Sequence, residues 1–275
     1  MTSTTTLGDY KPTIDGAASH YDDLDSFYRD IWGEHVHHGM WLTGKETDTE
    51  AAENLVTLVA KLGGTGKGTD VCDVGCGYGA TAKILAERYG ANVTGMTISK
   101  MQWRYAQEHN DVPGKTTFLL RDWYQNQLPD NRFDVVETVE SLEHMPDLPT
   151  FFRECYRVMK PGGRLVAVAW MSCENPSALS KHHLIDAITR ESQIAGVRPE
   201  SEFRAAAVAA AAAADARPAR SAAGDRRDAG LRRPGHRLVF HLLRDPARRA
   251  HQLQRVRDAI ARTARGAAAD QFDRN

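Results

Sequence analysis

The apolar positions of this chain change their spacing along its length, and the spacing predicts alternating strands and helices. Between residues 70 and 170, short apolar runs are separated by segments whose apolar residues recur every three or four positions. The run from Phe133 to Val139 is nearly continuous, as expected for a strand covered on both faces. The predicted strands end near Asp73, Thr97, Leu120, Val139 and Trp170. This alternation predicts an α/β fold with a Rossmann-like, doubly wound parallel sheet.

The first 62 residues predict an N-terminal helical cap. Apolar residues between Tyr21 and Trp32 recur at helical spacing, which predicts an amphipathic helix with an aromatic stripe. A second helix is expected from Ala51 to Leu62. We expect the aromatic stripe to serve mainly in packing.

The loop between these two helices carries several histidines. It contains His35, His37, His38 and Trp41. Histidines are common metal ligands, but no carboxylate or cysteine pattern completes a metal site here, so no metal is expected. We favour the interpretation that the loop lines a substrate pocket, with His38 and Trp41 as the substrate contacts.

A glycine-rich turn follows the first predicted strand. The sequence VCDVGCGYGAT occupies residues 71–81, with Gly75, Gly77 and Gly79 after Asp73. Strand, turn and helix in this order let a ligand approach the backbone and a helix N-terminus. The spacing differs from the Gly-x-Gly-x-x-Gly pattern of dinucleotide-binding proteins. A carboxylate at Asp73 would repel a phosphate and attract a cationic amino or sulfonium group.

Polar residues also follow the second, third and fourth predicted strands. Because the carboxyl ends of parallel strands meet at one edge of the sheet, we expect these residues to converge with the glycine turn on one crevice. They are Thr97, Ser99 and Gln102, then Asp122 and Trp123, then Glu140, Glu143 and His144.

Five segments together carry a resemblance to a known family. They are IWGEHVHHGMW, DVGCGYG, VTGMTISKMQ, VESLEHMPD and VMKPGG, spread over about residues 20–200. They resemble the tocopherol-methyltransferase-like branch of the class I S-adenosylmethionine-dependent small-molecule methyltransferases. The resemblance implies S-adenosylmethionine as the methyl donor and an N-terminal cap over the pocket.

The resemblance also implies which residues hold the donor. The expected cofactor-binding residues are Gly75 and Gly77 for the amino acid part, Thr97, Ser99 and Gln102 for the ribose, and Asp122 and Trp123 for the adenine. Asp73 and Gly79 of the same glycine turn complete the expected set. Many class I enzymes end the second strand with a carboxylate that takes both ribose hydroxyls. This chain lacks it, so Gln102 becomes the candidate for that contact.

The segment after the fourth strand supplies the candidate catalytic residues. Methyl transfer is an in-line displacement, so the enzyme must mainly position the acceptor and exclude water. A phenolic acceptor would gain from a base, and His144 suits that role because an unperturbed imidazole titrates near neutral pH. Glu140 and Glu143 are candidates for orienting His144 or binding the acceptor. The methylated atom, oxygen, nitrogen or carbon, stays open.

Charge and cysteine content narrow the choice of partners. Residues 1–203 carry ten more acidic than basic residues, which argues against a nucleic-acid partner, whereas residues 204–275 carry nine more basic than acidic ones. The four cysteines form no zinc pattern, and the sequence shows neither a membrane-spanning run nor a secretion signal. We therefore expect a cytoplasmic enzyme with a small-molecule acceptor and leave its oligomeric state open.

The predicted organisation has three parts: a cap at residues 1–62, a methyltransferase core at 63–203 and a tail at 204–275. More than half of the tail is Ala or Arg, and only the run near 237–243 is strand-like. Two interpretations stay open: the tail is a helical or disordered segment, or it is translated out of frame. In the second case, the outer edge of the fifth strand should stay unpaired.

Two rival functions also stay open. One is an inactive, methyltransferase-like protein that only binds the donor, because a damaged tail would remove the last strands of the sheet. The other is an NAD-dependent dehydrogenase, which the glycine spacing and the missing acidic ribose ligand disfavour. Titration with S-adenosylmethionine and with NAD would separate these possibilities.

Overall fold

A computed structural model describes residues 13–215 and 237–242. The helices are α1 (Ile14–Asp23), α2 (Asp25–Trp32), α3 (Asp48–Gly63), α4 (Ala80–Tyr89), α5 (Lys100–His109), α6 (Leu148–Val158), α7 (Ala178–Ser180), α8 (Asp186–Glu191) and α9 (Glu200–Asp215). The strands are β1 (Asp70–Val74), β2 (Asn92–Thr97), β3 (Thr116–Leu120), β4 (Phe133–Val139), β5 (Met159–Ala169), β6 (Met171–Ser172), β7 (Arg198–Pro199) and β8 (Arg237–Leu242). Short 3₁₀ helices lie at Trp123–Gln125 and Leu142–His144, and a π-helical turn at Lys181–Ile185 joins α7 to α8. None of the helices in these two ranges is both long and apolar enough to cross a membrane.

Six strands form one parallel sheet in the order β3-β2-β1-β4-β5-β8. The chain runs outward from β1 through β2 to β3, and then returns to the other side of β1 to form β4. The strand order therefore reverses between β1 and β4, and in folds of this kind ligands bind beside the carboxyl ends at that point. The predicted Rossmann-like sheet with a helical cap is confirmed.

The cap differs from the sequence prediction in one detail. The helix expected over Tyr21–Trp32 is broken at Leu24, and α1 begins earlier, at Ile14. The side chain of Thr13 caps α1 by accepting a hydrogen bond from a backbone amide at 2.9 Å. The aromatic spacing revealed only the second half of this arrangement, because the residues before it include small and polar ones.

The sheet separates two apolar layers. Side chains alternate along β1, so Val71 and Asp73 face the layer with α3 and α4, whereas Cys72 and Val74 face the layer with α6 and α9. Both layers are closely filled with buried side chains. The carboxyl ends of the central strands are thereby held rigidly at the base of the crevice.

Helix α9 extends the folded body past the predicted boundary at residue 203. Phe203, Ala207 and Ala210 are buried in the same apolar layer as α6. Alanines on this face let the two helices approach closely, because interaxial distance depends on the side chains at the contact. The first part of the expected tail therefore continues α9, which packs one face on the core through Ala207 and Ala210.

The outer edge of β5 is paired, contrary to the expectation of an open edge. Strand β8, at Arg237–Leu242, lies parallel to β5 in register with residues 164–169. The strand-like run noted near 237–243 supplies this partner. Residues 216–236 and 243–275 lie outside the described residues, so both interpretations of the rest of the tail remain predictions.

Candidate active site

A cavity opens where the carboxyl ends of β1, β2 and β4 face the first helix of the cap. It encloses about 790 Å³ of empty space, part of which is open to solvent. The predicted site residues on its wall are Gly75, Gly77, Thr97, Gln102, Asp122, Trp123, Glu140 and His144. All four strand ends singled out in the sequence contribute to this one enclosure.

The three glycines of the turn have different surroundings. At Gly75 an added Cβ would lie 2.3 Å from the Cβ of Ser141, so no side chain fits there. At Gly79, which precedes α4, it would lie 2.8 Å from the ring of Phe118. At Gly77 the backbone φ is +53°, and an added Cβ would meet no atom closer than 4.0 Å. Gly77 therefore borders open space at the cavity, whereas Gly79 permits close packing.

Asp73 does not lie on the cavity wall. Its side chain is 2% exposed and faces the α3 layer, beside Glu137 of β4. Burial raises the pKa of both carboxyl groups, and the charge of Asp73 raises that of Glu137 further. Asp73 thus stands behind the glycine turn instead of reaching into the cavity.

The end of β2 and the start of α5 form a hydrogen-bonded corner. The Thr97 hydroxyl donates to Oε1 of Gln102 at 2.8 Å, and both residues line the cavity. The Ser99 hydroxyl caps α5 by accepting from the backbone amide of Gln102 at 3.1 Å, and it donates to Oδ1 of Asp22 at 2.6 Å. Ser99 is fully buried and off the cavity wall. It positions this corner and ties it to α1.

Asp122 and Trp123 bound the cavity after β3. Oδ1 of Asp122 accepts from the backbone amide of Tyr124 at 2.9 Å and so begins the 3₁₀ helix. Trp123 is only 2% exposed, and its indole Nε1 donates to the carbonyl of Phe151 at 3.2 Å. The indole is committed to the core, so a ligand here would meet the Asp122 carboxylate and the main chain of Trp123.

Glu140 places a charge on the cavity wall and is held there by the cap. Its Oε2 accepts from Nδ1 of His38 at 2.7 Å and from the His38 backbone amide at 3.1 Å. Burial raises the pKa of Glu140, but the charge and hydrogen bonds of His38 outweigh that effect and bring it to about 2. The φ of Glu140 is +51°, a strained value for a residue other than glycine. Such strain is common at functional sites.

The other substrate and catalytic candidates lie off the wall. Glu143 is 2% exposed and accepts a hydrogen bond from the backbone amide of Trp170. Its own carbonyl accepts from the amide of Ala195 at 2.7 Å, so Glu143 holds together the segments around the site. Trp41 is partly buried in the cap loop, away from this cavity. His38 acts on the cavity through its bond to Glu140.

His144 faces the cavity next to an aromatic residue of the cap. Its Nε2 lies 3.0 Å from the hydroxyl of Tyr21, and the two rings meet edge to face. Its Nδ1 lies 3.4 Å from the carbonyl of Gln193, so Nδ1 carries the hydrogen and Nε2 accepts from Tyr21. Burial lowers the pKa of His144 to about 4, although that carbonyl acts in the opposite direction. The imidazole is therefore neutral at pH 7.

Sequence reasoning missed three residues at this site. Tyr21 is on the cavity wall, although the aromatic pattern predicted only packing. Asp22 anchors Ser99 across 77 positions of sequence, and Glu137 shares the buried layer with Asp73. No local signal marks these residues, because their partners come from distant segments.

The remaining histidines of the cap loop, His35 and His37, border a separate cleft between that loop and helices α3 and α4. Nδ1 of His35 lies 3.2 Å from Nε2 of His37, whose Nδ1 donates to the carbonyl of His38 at 2.9 Å. Burial, together with the neighbouring His37, lowers the pKa of His35 to about 3. Across residues 13–215 and 237–242, no group of three His, Cys, Asp or Glu could hold a metal ion. His35 and His37 instead form hydrogen bonds with each other and with the backbone.

Comparison with known proteins agrees with this geometry. A family model described as a methyltransferase domain matches residues 72–167. The 2-methyl-6-phytyl-1,4-hydroquinone methyltransferase of Synechocystis is 39% identical over 57% of this chain and 51% of its own length. The O-methyltransferase rstn1 of Aspergillus nomiae is 32% identical over 63% of this chain and 80% of its own length.

A solved structure shares the fold. The cyclopropane synthase MmaA2 from Mycobacterium tuberculosis has a TM-score of 0.65 at 24% identity, and the match covers 74% of this chain and 75% of that one. The chain spans about half the length of the first curated relatives that it matches. It covers four-fifths of the fungal O-methyltransferase, however, and its sheet and glycine turn are those expected. This chain belongs to the class I S-adenosylmethionine-dependent small-molecule methyltransferases.

Proposed function

We propose that the chain transfers a methyl group from S-adenosylmethionine to a small hydrophobic acceptor, at oxygen, nitrogen or carbon. The observation that supports this is the cavity whose lining includes Gly77, Gln102 and Asp122 together with Tyr21 and His144. Groups suited to the donor and groups suited to the acceptor share one enclosure. Transfer between two bound molecules requires this proximity.

The donor half of the cavity fits S-adenosylmethionine. Gly77 leaves free the space that a side chain would occupy, so the donor can approach the backbone. Oε1 of Gln102 is engaged by Thr97, so the amide nitrogen of Gln102 is the end proposed to contact the ribose oxygens. The Asp122 carboxylate would accept a hydrogen bond from the adenine amino group. When bound, S-adenosylmethionine supplies an electrophilic methyl group on a sulfonium.

The acceptor half of the cavity is mainly apolar. Ile14, Val36, Val139 and Met145 line it together with Tyr21. Such a lining favours a hydrophobic acceptor with a few polar groups. The name of the Synechocystis relative gives a phytylated hydroquinone as its substrate. We propose a ring of that general type, with a hydroxyl and an apolar substituent, as the first acceptor to test.

His144 is the proposed base for a hydroxyl acceptor. Nε2 of His144 accepts a hydrogen bond from the hydroxyl of Tyr21. The hydroxyl of the methyl acceptor would either take the place of the Tyr21 hydroxyl or donate a hydrogen bond to it, while Tyr21 keeps its own hydrogen bond to His144. In both cases the acceptor's proton, or one equivalent to it, would end on Nε2 of His144 as the acceptor oxygen bonds to the methyl carbon. The methyl–sulfur bond of the donor would break in the same step and leave a neutral thioether. Glu140, an anion on the same wall, is the proposed contact for a polar substituent of the acceptor.

Binding and transfer are tested separately. Calorimetric titration should show binding of S-adenosylmethionine and none of NAD. Incubation with methyl-labelled S-adenosylmethionine and a panel of alkyl-substituted hydroquinones should give a labelled product by mass spectrometry. Donor binding without transfer to any member of a broad acceptor panel would support the inactive, donor-binding alternative. Binding of NAD in place of S-adenosylmethionine would refute the proposal.

A cytoplasmic location is part of this proposal. The four cysteines are free thiols, and Cys72, Cys76 and Cys155 are buried. Free thiols fit a reducing compartment. The acidic surface of the first 203 residues supports a small-molecule acceptor in preference to a nucleic acid.

A further inference from the structure

Two carboxyl side chains lie next to each other inside the sheet. Asp73 of β1 and Glu137 of β4 are register partners on adjacent parallel strands, which places both side chains on the same face. The side chain of Asp73 is 2% exposed, and Glu137 is completely buried. A glutamate in the middle of a central strand is unusual, because burial of a charged group is costly.

Nothing in the described part of the chain neutralises this pair. Oδ2 of Asp73 and both carboxyl oxygens of Glu137 are buried without a hydrogen-bond partner. The neighbouring strands β2 and β5 place Gly95 and Val166 beside them, and the α3 residues of this layer are apolar. The titratable neighbours are the thiols of Cys72 and Cys76. Burial and the nearby carboxylates raise the pKa of both thiols.

Two adjacent buried carboxylates cannot both be ionised at neutral pH. Desolvation raises the pKa of both groups, and the charge of Asp73 raises that of Glu137 further. Glu137 is completely buried in the middle of β4, whereas Asp73 lies near the end of β1 beside the glycine turn, so we assign the proton to Glu137. A protonated carboxyl is a hydrogen-bond donor, and the Asp73 carboxylate beside it is an acceptor.

The pair lies directly behind the wall of the cavity. Val74 and Gly75 follow Asp73 in the chain, and both line the cavity. Val139 and Glu140 lie just beyond Glu137 and line it too. A charge on the pair therefore acts on the cavity across a thin apolar layer, where electrostatic effects are weakly screened.

We infer that Glu137 is a positioning residue that stays protonated and donates a hydrogen bond to Asp73, so that the pair presents one fixed negative charge to the cationic donor. This inference rests on the proposed function, because it takes the cavity as the site of S-adenosylmethionine. It assigns Glu137 a role that the glycine motif does not contain.

The inference makes donor affinity depend on pH. Burial raises the pKa of Asp73 to about 7. As the pH falls through that value Asp73 also becomes protonated, the pair loses its charge, and the attraction for the cationic donor weakens. Binding of the cationic donor should in turn lower the pKa of Asp73. For each unit of that decrease, the donor should bind about tenfold more tightly well above this pKa than well below it. Binding near neutral pH should also release a fraction of a proton, which calorimetry in buffers of different ionisation enthalpy detects.

The test compares Glu137→Gln with Glu137→Leu. A glutamine keeps a donor beside Asp73, whereas a leucine removes it. S-adenosylmethionine titrations from about pH 5.5 to about pH 8.5 should show Glu137→Gln within a few-fold of the wild type, and Glu137→Leu weaker by about tenfold or more at neutral pH, with its pH profile displaced upward. Glu108→Gln, an exposed change on α5, is the matched control and should alter nothing.

Infrared spectroscopy supplies a second measurement that does not depend on the ligand. At about pH 8.5, where Asp73 is ionised, the wild type should show the carbonyl stretch of a buried protonated carboxyl group, and Glu137→Gln should lack it. Thermal melting checks folding, and Glu137→Leu should remain folded because leucine suits this apolar layer.

Three results would overturn the inference. These are a Glu137→Leu affinity equal to that of the wild type at every pH, a Glu137→Gln loss as large as that of Glu137→Leu, and a protonated-carboxyl band that persists unchanged in Glu137→Gln at about pH 8.5. A wild type that binds no S-adenosylmethionine at any pH would instead refute the proposed function, and this inference would go with it.

Discussion

The proposed donor half and the proposed acceptor half of the cavity are assembled in different ways. The acceptor half is called the cap half below, because the cap helps to build it. In the donor half the contacts are local in sequence, since Thr97, Ser99 and Gln102 lie within one strand–helix corner. In the cap half they join distant segments: His38 and Glu140 are 102 positions apart, and Tyr21 and His144 are 123 apart. The donor half therefore follows from the geometry of a βαβ unit, whereas the acceptor half exists only when the cap is docked on the core.

Because of this difference, we expect substitutions in one half to leave the properties of the other half largely unchanged. A change in the cap half should alter turnover and the choice of acceptor, and a change in the donor half should alter the affinity for S-adenosylmethionine. Ser99 is the exception, because its bond to Asp22 connects the two halves.

The largest difference between the effect on turnover and the effect on donor affinity is expected for a substitution at His144. Replacing His144 by alanine should lower turnover of a hydroxyl acceptor by about 10²–10⁴-fold, because the base is lost. Donor affinity should change little, since His144 lies in the cap half. Steady-state kinetics and calorimetry measure the two effects, with His109→Ala on the exposed surface of α5 as the control. A parallel fall in turnover and donor affinity would show that the halves are not separate.

The cap half should also make the fold sensitive to acid. The pKa of His144 is lowered by burial to about 4 in the folded chain, against about 6.5 for an unperturbed histidine. As the pH falls from about 6.5 to about 4, the unfolded chain takes up a proton that the folded chain does not. The free energy of unfolding should therefore decrease over that window by up to about 3 kcal/mol.

Chemical denaturation at several pH values measures this effect. His144→Gln removes the titrating group, so the variant should lose that part of the slope. Equal slopes in the two proteins would show that His144 does not remain neutral in the folded chain.

A smaller effect is expected at the hydrogen-bonded corner of Ser99 and Gln102, where the donor ribose is proposed to bind. Gln102→Ala should weaken S-adenosylmethionine binding by about tenfold, about 1.4 kcal/mol, and leave turnover at saturating donor unchanged. Ser99→Ala should instead lower the free energy of unfolding by about 1 kcal/mol, because it removes the cap of α5. The reverse pattern, with Ser99 controlling affinity and Gln102 controlling stability, would contradict the roles assigned here.

The sequence predicted the donor half far better than the cap half. Short apolar runs located β1 to β5, and patterns of period 3.6 located the helices between them, because strand burial and helix amphipathicity are local properties. Among the candidate residues, the sequence could not show that Asp73 and Glu143 are turned away from the cavity while Glu140 faces it. Side-chain direction at a strand end depends on local backbone geometry, here a φ of +51° at Glu140.

The tail shows a different limit. The Ala-rich composition after residue 203 gave no sign that Phe203, Ala207 and Ala210 pack on α6. Small residues carry little hydrophobic signal, yet they allow helices to approach closely. The pairing of β8 with β5 is likewise a long-range contact that composition does not reveal.

The most direct test of the donor site compares valine substitutions at two glycines. Gly77 and Gly68 both have positive φ, +53° and +76°, and neither would bring an added Cβ closer than 4.0 Å to another atom. The backbone strain of the two substitutions is therefore similar, but only Gly77 lines the cavity. Calorimetry should show that Gly77→Val lowers S-adenosylmethionine affinity by at least about 100-fold while Gly68→Val binds as the wild type does. Equal affinity in both variants would contradict the assignment of this cavity as the donor site.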